Sequence, residues 1–167
     1  MIEVPLSNSD RVALIDDSDE ALVCAHRWWM IESRSPGRPS FYARGSVIGE
    51  RFHPLMHRLL AMGITDHVNG NGLDNRRANL RPATRSQNGA NRRKVVKTAS
   101  SFKGVTRYAV TRWRAYITKD QARIHLGVFE SELSAASAYD CAARELFGEY
   151  AALNFPQAGE RSALSAA

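Results

Sequence analysis

The sequence predicts an α+β protein built from two modules, and three patterns carry that prediction. Short segments in both halves of the 167-residue chain alternate apolar and polar residues in the manner of half-buried strands. One long segment near the C-terminus has small apolar residues at helical spacing. A basic stretch between the halves has no clear apolar period. We therefore expect a first domain, a linker, a second domain and a flexible tail, at residues 1–92, 93–100, 101–156 and 157–167 respectively.

The distribution of charge indicates a nucleic-acid partner. The formal net charge is +6, but between Asn75 and Lys119 the chain has thirteen Lys or Arg and no Asp or Glu. All seventeen acidic residues lie outside that stretch. An ordinary solvated face seldom extends over 45 residues without one acid. We therefore expect the phosphate backbone of a nucleic acid to be the partner.

Other classes of protein are not indicated. No run approaches the roughly 18 apolar residues of a membrane helix, and residues 1–5 lack the basic start and apolar stretch of a secretory leader. We expect no membrane partner and a cytoplasmic location. Cys24 and Cys141 are far apart and form no Cys-x-x-Cys pair, so no zinc site is expected.

The N-terminal region is predicted to contain small strands and a short helix. Strands are expected at 11–15, 28–32 and 41–44, with turn-forming residues between the last two. Ser18 is expected to cap the helix, because a serine oxygen can accept a hydrogen bond from the first turn.

A second helix is expected over 54–63, where Leu55 and Leu59 recur at helical spacing. It carries His57 and Arg58. These side chains either contact phosphates or hydrogen-bond to the neighbouring turn, and we favour the structural role.

The middle of the chain is predicted to fold as strand, loop, strand and helix. Strands are expected at 65–68 and 80–83, separated by a turn at 69–72 whose Asn and Gly residues tolerate positive φ. Thr84-x-x-Gln87 is a capping-box signature for the helix that follows.

This middle stretch has the residue types needed for metal-assisted phosphodiester hydrolysis. Asp66 on the first strand and Asn88 on the helix offer oxygen ligands to one hard divalent cation, such as Mg²⁺. His67 points to the other face of the strand and is suited to deprotonate the attacking water. Asn79 is placed to hydrogen-bond to the loop backbone and hold the histidine in position.

The pattern Asp-His-x-x-Gly-x-x-x-Asp-Asn-x-x-x-Asn-Leu-Arg, followed by Asn88, resembles the HNH homing-type endonucleases with a ββα-metal core, particularly the phage-type group. The resemblance covers about residues 10–92. It implies His67 as general base, Asp66 and Asn88 as ligands of a divalent metal, and Asn79 as the residue that fixes the loop. The last member is Asn88 rather than His, which favours Mg²⁺, with Mn²⁺ as the alternative, over tight transition-metal binding.

Two other interpretations remain open for this stretch. Residues 69–72 can be a simple hairpin turn with Asp66 and His67 as a surface pair. Alternatively, the chain is a decayed nuclease that keeps the fold only to bind DNA.

The second module is predicted to be a three-stranded antiparallel sheet packed on one α-helix. Residues 113–118 and 123–126 alternate cleanly, which gives an apolar face and a basic face, and 102–107 supplies the third strand. Ser131 is the expected N-cap of a helix over 132–147 that covers the apolar face. The basic face is then open to the DNA major groove.

This module resembles the AP2/ERF DNA-binding domain over residues 101–156. The matching motifs are Phe102-Lys103-Gly104-Val105, Trp113-x-Ala115-x-Ile117, Leu126-Gly127-x-Phe129, Ala135-Ala136-x-Ala138-Tyr139-Asp140 and Asn154-Phe155. The resemblance implies base contacts from Lys103, Tyr116, Thr118, Arg123 and His125, and phosphate or base contacts from Arg107, Arg112 and Arg114. Thr118 and His125 replace the Arg or Trp that is usual in the family, so the plant-type target sequence does not transfer.

The basic residues before this module are expected to contact DNA as well, and these are Arg76, Arg77, Arg92, Arg93 and Lys94. The sequence thus predicts a monomeric, Mg²⁺-dependent endonuclease of a phage or mobile element. It would nick or cut double-stranded DNA beside a site chosen by the second module. The alternative is a DNA-binding transcriptional regulator without catalytic activity.

Overall fold

The computed structural model describes residues 1–33, 39–46, 53–61, 63–94 and 99–164. These residues form an α+β fold of small, mostly antiparallel sheets and short helices, with one longer helix near the C-terminus. The chain divides into two compact units, Met1–Ala83 and Thr84–Ala167. The described part contains no helix that is both long and apolar enough to cross a membrane.

Two hairpins open the first unit. Strands β1 (Ile2–Leu6) and β2 (Ser9–Ile15) pair antiparallel, as do β3 (Arg27–Ser33) and β4 (Ser40–Ser46). A 3₁₀ turn (Asp17–Asp19) and helix α1 (Glu20–Cys24) connect the hairpins.

The prediction that Ser18 caps the helix of this connection is wrong. Ser18 lies inside the 3₁₀ turn, and the N-cap position of α1 falls to Asp19, which makes no side-chain cap hydrogen bond. The Asp19 carboxylate is 3% exposed and pairs instead with Arg77, farther along the chain. A tertiary ion pair thus replaces the local cap.

Helix α2 (Met56–Leu60) is shorter than the predicted 54–63. Leu55 and Ala61 both have extended backbone torsions, so the helix begins after the first and ends before the second. Residue 62, which the predicted helix includes, lies outside the described residues. Strands β5 (Thr65–His67) and β6 (Leu80–Pro82) follow and pair antiparallel, with a 3₁₀ turn (Arg77–Asn79) before β6.

The core of the first unit is centred on Trp28. Its side chain is 2% exposed, and the indole Nε1 donates a hydrogen bond to the Val23 carbonyl at 2.8 Å. A Cβ on Gly45, across the β3–β4 hairpin, would lie 2.5 Å from the Trp28 ring, so the close approach of strand and indole requires glycine. Around it pack Val4, Leu6, Ala13, Ile15, Val23, Ala43, Met56, Leu60 and Leu73.

The second unit begins with helix α3 (Arg85–Ala90), and the predicted capping box is confirmed. The Thr84 hydroxyl accepts from the Gln87 N–H at 3.1 Å, and the Gln87 side chain accepts from the Thr84 N–H at 2.8 Å. This helix has no apolar stripe of its own, so the reciprocal cap is a large part of what starts it.

A three-stranded antiparallel sheet follows, in the order β7 (Val105–Ala109), β8 (Arg112–Lys119) and β9 (Ala122–Phe129). Helix α4 (Glu132–Phe147) packs on it, with Ser131 as N-cap as predicted. The interface is made mostly of alanines, together with one aliphatic and one aromatic side chain, namely Ala115, Ala135, Ala136, Ala143, Ile117 and Tyr139.

Two local features alter the predicted sheet. The predicted strand at 102–107 begins only at Val105, because Gly104 has φ +74°, outside the extended region. Ile124, which the alternation of residues 123–126 assigns to the apolar face, lies on the edge strand and is 40% exposed. The partly buried Leu126 beside it packs against the core.

The C-terminal segment is tied to α4. Strands β10 (Ala152–Leu153) and β11 (Arg161–Ser162) pair in parallel, within a segment whose second half the sequence predicts to be flexible. The buried Asp140 carboxylate accepts from the Asn154 N–H at 2.8 Å and the Phe155 N–H at 2.7 Å. These bonds fix the turn after β10 against the helix.

The close packing at Gly104 gives a stability prediction. A Cβ at this position would lie 1.9 Å from Tyr139 and would also need φ +74°. We expect Gly104→Ala to lower the free energy of unfolding by about 3 kcal/mol, measured by urea denaturation. Gly89→Ala is the matched control, because nothing lies within 4 Å of its added Cβ. Equal stability of the two variants would contradict the packing described.

Candidate functional site

Asp66 and His67 lie on β5 and are both buried, at 3% and 6% exposure. The register of the β5–β6 hairpin sets Asp66 opposite Arg81. The Arg81 Nε and Nη2 atoms donate to Asp66 Oδ2 at 3.0 and 2.8 Å. A buried carboxylate is thus compensated by the facing strand rather than by solvent.

The side chain of Asn79 closes the loop that joins β5 to β6, residues 68–79. Its Oδ1 accepts from the Asn69 N–H at 2.9 Å, and its Nδ2 donates to the Asp74 carbonyl at 2.7 Å. Its backbone carbonyl also accepts from the Val68 N–H at 2.9 Å. The loop is therefore anchored from the residue after His67 to its middle.

Asp74 organises the other half of this loop. Its carboxylate accepts from Asn69 Nδ2 at 2.9 Å and from Nε and Nη2 of Arg76 at 2.7 Å. The hydrogen bond from Arg76 is the main reason why the pKa of Asp74 is lowered. Arg77 is engaged similarly, since its Nη2 lies 2.6 Å from Asp19. The predicted DNA contacts Arg76 and Arg77 are therefore both ion-paired in this structure.

Strand β2 holds the same loop from the N-terminal side. The Leu14 N–H donates to the Leu73 carbonyl, and the Asn75 N–H donates to the Leu14 carbonyl, both at 2.8 Å. Asn75 is fully buried. Its Oδ1 lies 3.3 Å from Nε2 of His67, and its Nδ2 donates to the Leu73 carbonyl at 3.2 Å.

His67 belongs to a cluster of three rings. The His57 ring lies edge-on to the His67 ring with centroids 5.0 Å apart, and the Tyr42 ring lies 5.9 Å from His57 and 6.0 Å from His67. Burial, together with the neighbouring His67, lowers the pKa of His57 to about 3. Burial also lowers the pKa of His67, although the hydrogen bond to Asn75 opposes it. Both imidazoles are therefore neutral near neutral pH.

The donor chemistry at Asp66 suits a hard cation, because Mg²⁺ is commonly held by one or two carboxylates with the rest of its shell made of water. The carboxylate shares its Oδ2 with Arg81, so a cation would share this group with a guanidinium. No cluster of three or more His, Cys, Asp or Glu suited to a metal exists in the described ranges. Asn88, the other predicted ligand, lies on α3 in the second unit, and its role stays a prediction.

Three residues of this site were not assigned a role from the sequence. Arg81 could have been found, because the predicted hairpin sets it opposite Asp66 once the register is counted. Asn75 is part of the motif that begins at Asp66, but a sequence motif does not indicate which of its side chains turns inward. No local sequence pattern marks Tyr42 as part of the site, since only the tertiary fold brings β4 to the histidines.

The second unit has a basic concavity on the sheet face opposite α4. It has a volume of about 320 Å³ and is lined by Thr106, Arg114, Tyr116, Arg123 and His125. Cross-strand pairing sets Tyr116 beside His125 and Thr118 beside Arg123. The Arg123 guanidinium lies 4.3 Å from the centroid of the Tyr116 ring. Four of the predicted DNA-contacting residues are thus brought together here.

The remaining predicted contacts of this unit are distributed differently. The guanidinium of Arg107 lies over Trp113, and Arg112 is exposed at the start of β8. Arg92 and Arg93 are exposed, whereas Lys94 is partly buried. Residues 95–98 of the predicted linker lie outside the described residues.

Lys103 is turned toward the interior of the unit. Its Nζ donates to the Ala90 carbonyl and lies 5.8 Å from the centroid of the Tyr139 ring. Burial lowers the pKa of Lys103 to about 7. Its backbone N–H also donates to Asn154 Oδ1 at 2.7 Å. This lysine does not line the basic concavity.

Known proteins resemble this chain in two ways. An AP2/ERF and B3 domain-containing protein of Oryza sativa subsp. japonica is 45% identical over 65 residues, 39% of this chain and 18% of that protein. Dehydration-responsive element-binding protein 2C of Arabidopsis thaliana is 40% identical over 68 residues, 40% of this chain and 20% of that protein. The chain thus spans a fifth or less of either plant protein. No family model matches it.

The broader similarity is to a viral protein. An uncharacterized HNH endonuclease of Acanthamoeba polyphaga mimivirus is 31% identical over 139 residues, which cover 80% of this chain and 69% of that protein. Both resemblances stated from the sequence are therefore confirmed. The chain belongs to the HNH endonuclease family and carries a region homologous to AP2/ERF domain proteins.

Proposed function

We propose that the protein is a divalent-metal-dependent endonuclease that hydrolyses phosphodiester bonds of double-stranded DNA. The observation that supports this most is the position of His67. It is a buried, neutral imidazole, next in sequence to a carboxylate, on a strand whose following loop is clamped by Asn79. This chain belongs to the HNH endonuclease family, and its own Asp66-His67 pair lies in this setting.

In the proposed reaction His67 acts as the general base. Because its pKa is lowered, the imidazole is unprotonated near neutral pH and can accept a proton. It takes one proton from a water molecule, whose oxygen attacks phosphorus. The bond from phosphorus to the 3′ oxygen then breaks, and solvent returns a proton to the leaving oxygen. Asn79 acts indirectly, by holding the loop that follows the base.

Asp66 and, from the sequence, Asn88 are the proposed metal ligands. When bound, the metal neutralises developing charge on the phosphate and the leaving oxygen. Oxygen donors favour Mg²⁺, with Mn²⁺ as the alternative, and zinc is not expected. Arg81 holds the Asp66 carboxylate in a fixed orientation through two hydrogen bonds.

The second unit is proposed to select the site of cleavage. A β-sheet or ribbon fits the major groove of B-DNA, and the basic concavity offers arginines beside an aromatic ring. Because both DNA-binding units belong to one chain, binding of one unit to DNA raises the effective concentration of DNA at the other. The proposed contacts are Arg107, Arg112, Arg114, Tyr116, Thr118, Arg123 and His125, with Arg92, Arg93 and Lys94 before the sheet.

A DNA-binding regulator without catalytic activity is the second candidate. It is favoured by the AP2/ERF similarity considered alone, since one such relative is named a transcription repressor. Both functions involve DNA binding that weakens as salt is added, so binding does not separate them. Metal-dependent nicking of plasmid DNA separates the two functions, because only the nuclease would perform it.

Removing the base tests the catalytic proposal. We expect His67→Ala to lower the rate of single-turnover plasmid nicking in Mg²⁺ or Mn²⁺ by about 10²–10⁴-fold, because proton transfer to the base is lost. DNA affinity should be unchanged in a gel-shift assay. His26→Ala is the control histidine. Full activity of His67→Ala would show that another group is the base, and an inactive wild type would favour the regulator.

A matched pair of cation substitutions tests the DNA-binding face. We expect Arg123→Ala to weaken binding to a selected duplex by about 1–3 kcal/mol, because this arginine lines the concavity. Lys103→Met should change affinity by less than about 0.5 kcal/mol, because the lysine contacts the interior. Fluorescence anisotropy measures both. A larger effect of Lys103→Met would mean that Lys103 contacts DNA after all.

A further inference from the structure

We propose that Asn75 is a positioning residue, which holds His67 in the neutral tautomer that carries the proton on Nε2. Nδ1 then has the lone pair with which the base takes a proton from water. The inference deepens the proposed function and rests on it, because it concerns the base of that reaction. The evidence for it is two hydrogen-bond contacts of the buried Asn75 side-chain amide.

The first contact fixes the orientation of the Asn75 amide. Its Nδ2 lies 3.2 Å from the carbonyl oxygen of Leu73. A carbonyl can only accept a hydrogen bond, so the nitrogen of the amide must face Leu73 and the oxygen must face the other way. Turning the amide over would bring two acceptors together in a fully buried place.

The second contact transfers that orientation to the imidazole. The Asn75 Oδ1 atom lies 3.3 Å from Nε2 of His67. An amide oxygen can only accept, so a hydrogen bond here requires the proton on Nε2. Since a neutral imidazole has one protonated nitrogen, the lone pair is then on Nδ1.

The backbone of Asn75 cannot easily shift to relax this arrangement. Its N–H donates to the Leu14 carbonyl at 2.8 Å, and the Leu73 carbonyl also accepts from the Leu14 N–H at 2.8 Å. Strand β2 therefore holds both the amide and the carbonyl that orients it. The His57 and Tyr42 rings, which pack on His67, restrict rotation of the imidazole itself.

The tautomer of His67 in the wild-type chain is the most direct test, and it does not require activity. A long-range ¹⁵N–¹H correlation spectrum of the full-length, ¹⁵N-labelled protein distinguishes the two tautomers. At about pH 8, above the usual pKa of histidine, we expect the Nε2-protonated form alone at His67. The Nδ1-protonated form, or an even mixture, would overturn the proposal.

Variants test whether Asn75 is the cause of the Nε2-protonated tautomer of His67. We expect Asn75→Ala to give a mixture of tautomers and to lower the single-turnover cleavage rate about 10- to 100-fold, with unchanged affinity for DNA. Asn71→Ala is the matched control, because Asn71 Oδ1 accepts from the Leu73 N–H, so this variant also removes an asparagine hydrogen bond from the same loop.

The outcomes separate this inference from the proposed function. A single Nε2-protonated form in wild type, lost in Asn75→Ala and kept in Asn71→Ala, supports the positioning role. An unchanged tautomer in a folded Asn75→Ala variant overturns it. If wild type shows the expected tautomer but never cleaves DNA with any divalent metal, the proposed function fails while the orienting contact stands.

Discussion

The carboxamide of Asn79 is the contact on which the rest of the candidate active site depends. It accepts from the Asn69 N–H and donates to the Asp74 carbonyl, so it joins the start of the β5–β6 loop to its middle. With the loop closed, Asn75 reaches His67 and β2 can bind the outer side of the same loop. Because the amide is buried, each lost bond would leave an unsatisfied group at a cost of about 1–3 kcal/mol. The N-terminal hairpin is therefore a support for the loop as well as part of the core.

Six arginines in or just after the long acid-free run fall into two physical classes. The arginines near its start pair with acids that lie before the run, as Arg76–Asp74, Arg77–Asp19 and Arg81–Asp66. Those on the sheet lie over aromatic rings instead, as Arg107 over Trp113, Arg114 over Tyr108 and Arg123 over Tyr116. The first class stabilises the candidate active site. The second class keeps its charge available to a phosphate backbone, as the proposed division between a cutting site and a DNA-binding sheet requires.

Local signals were sufficient for much of this structure. The capping box at Thr84, the N-cap at Ser131 and the alternation along β8 each depend on residues a few positions apart, and the structure has all three. Contacts between distant segments were not predictable in this way. Ser18 does not cap α1, because the N-cap position falls to Asp19, which pairs with an arginine 58 positions away. Asn75 likewise acquires its role only through the contact of β2 with the loop. Lys103 matches a family motif, yet its direction is set by α3 and Tyr139.

Mapping of cut positions on a random-sequence duplex library tests whether one chain combines a metal-dependent cutting site with a separate sheet that chooses where it acts. We expect cuts only with divalent metal, at a fixed distance from a recurring sequence. In a variant with an altered basic concavity, that sequence preference should weaken while cutting persists. Intact DNA under every metal condition would contradict the nuclease, and cuts without any recurring sequence would contradict targeting by the sheet.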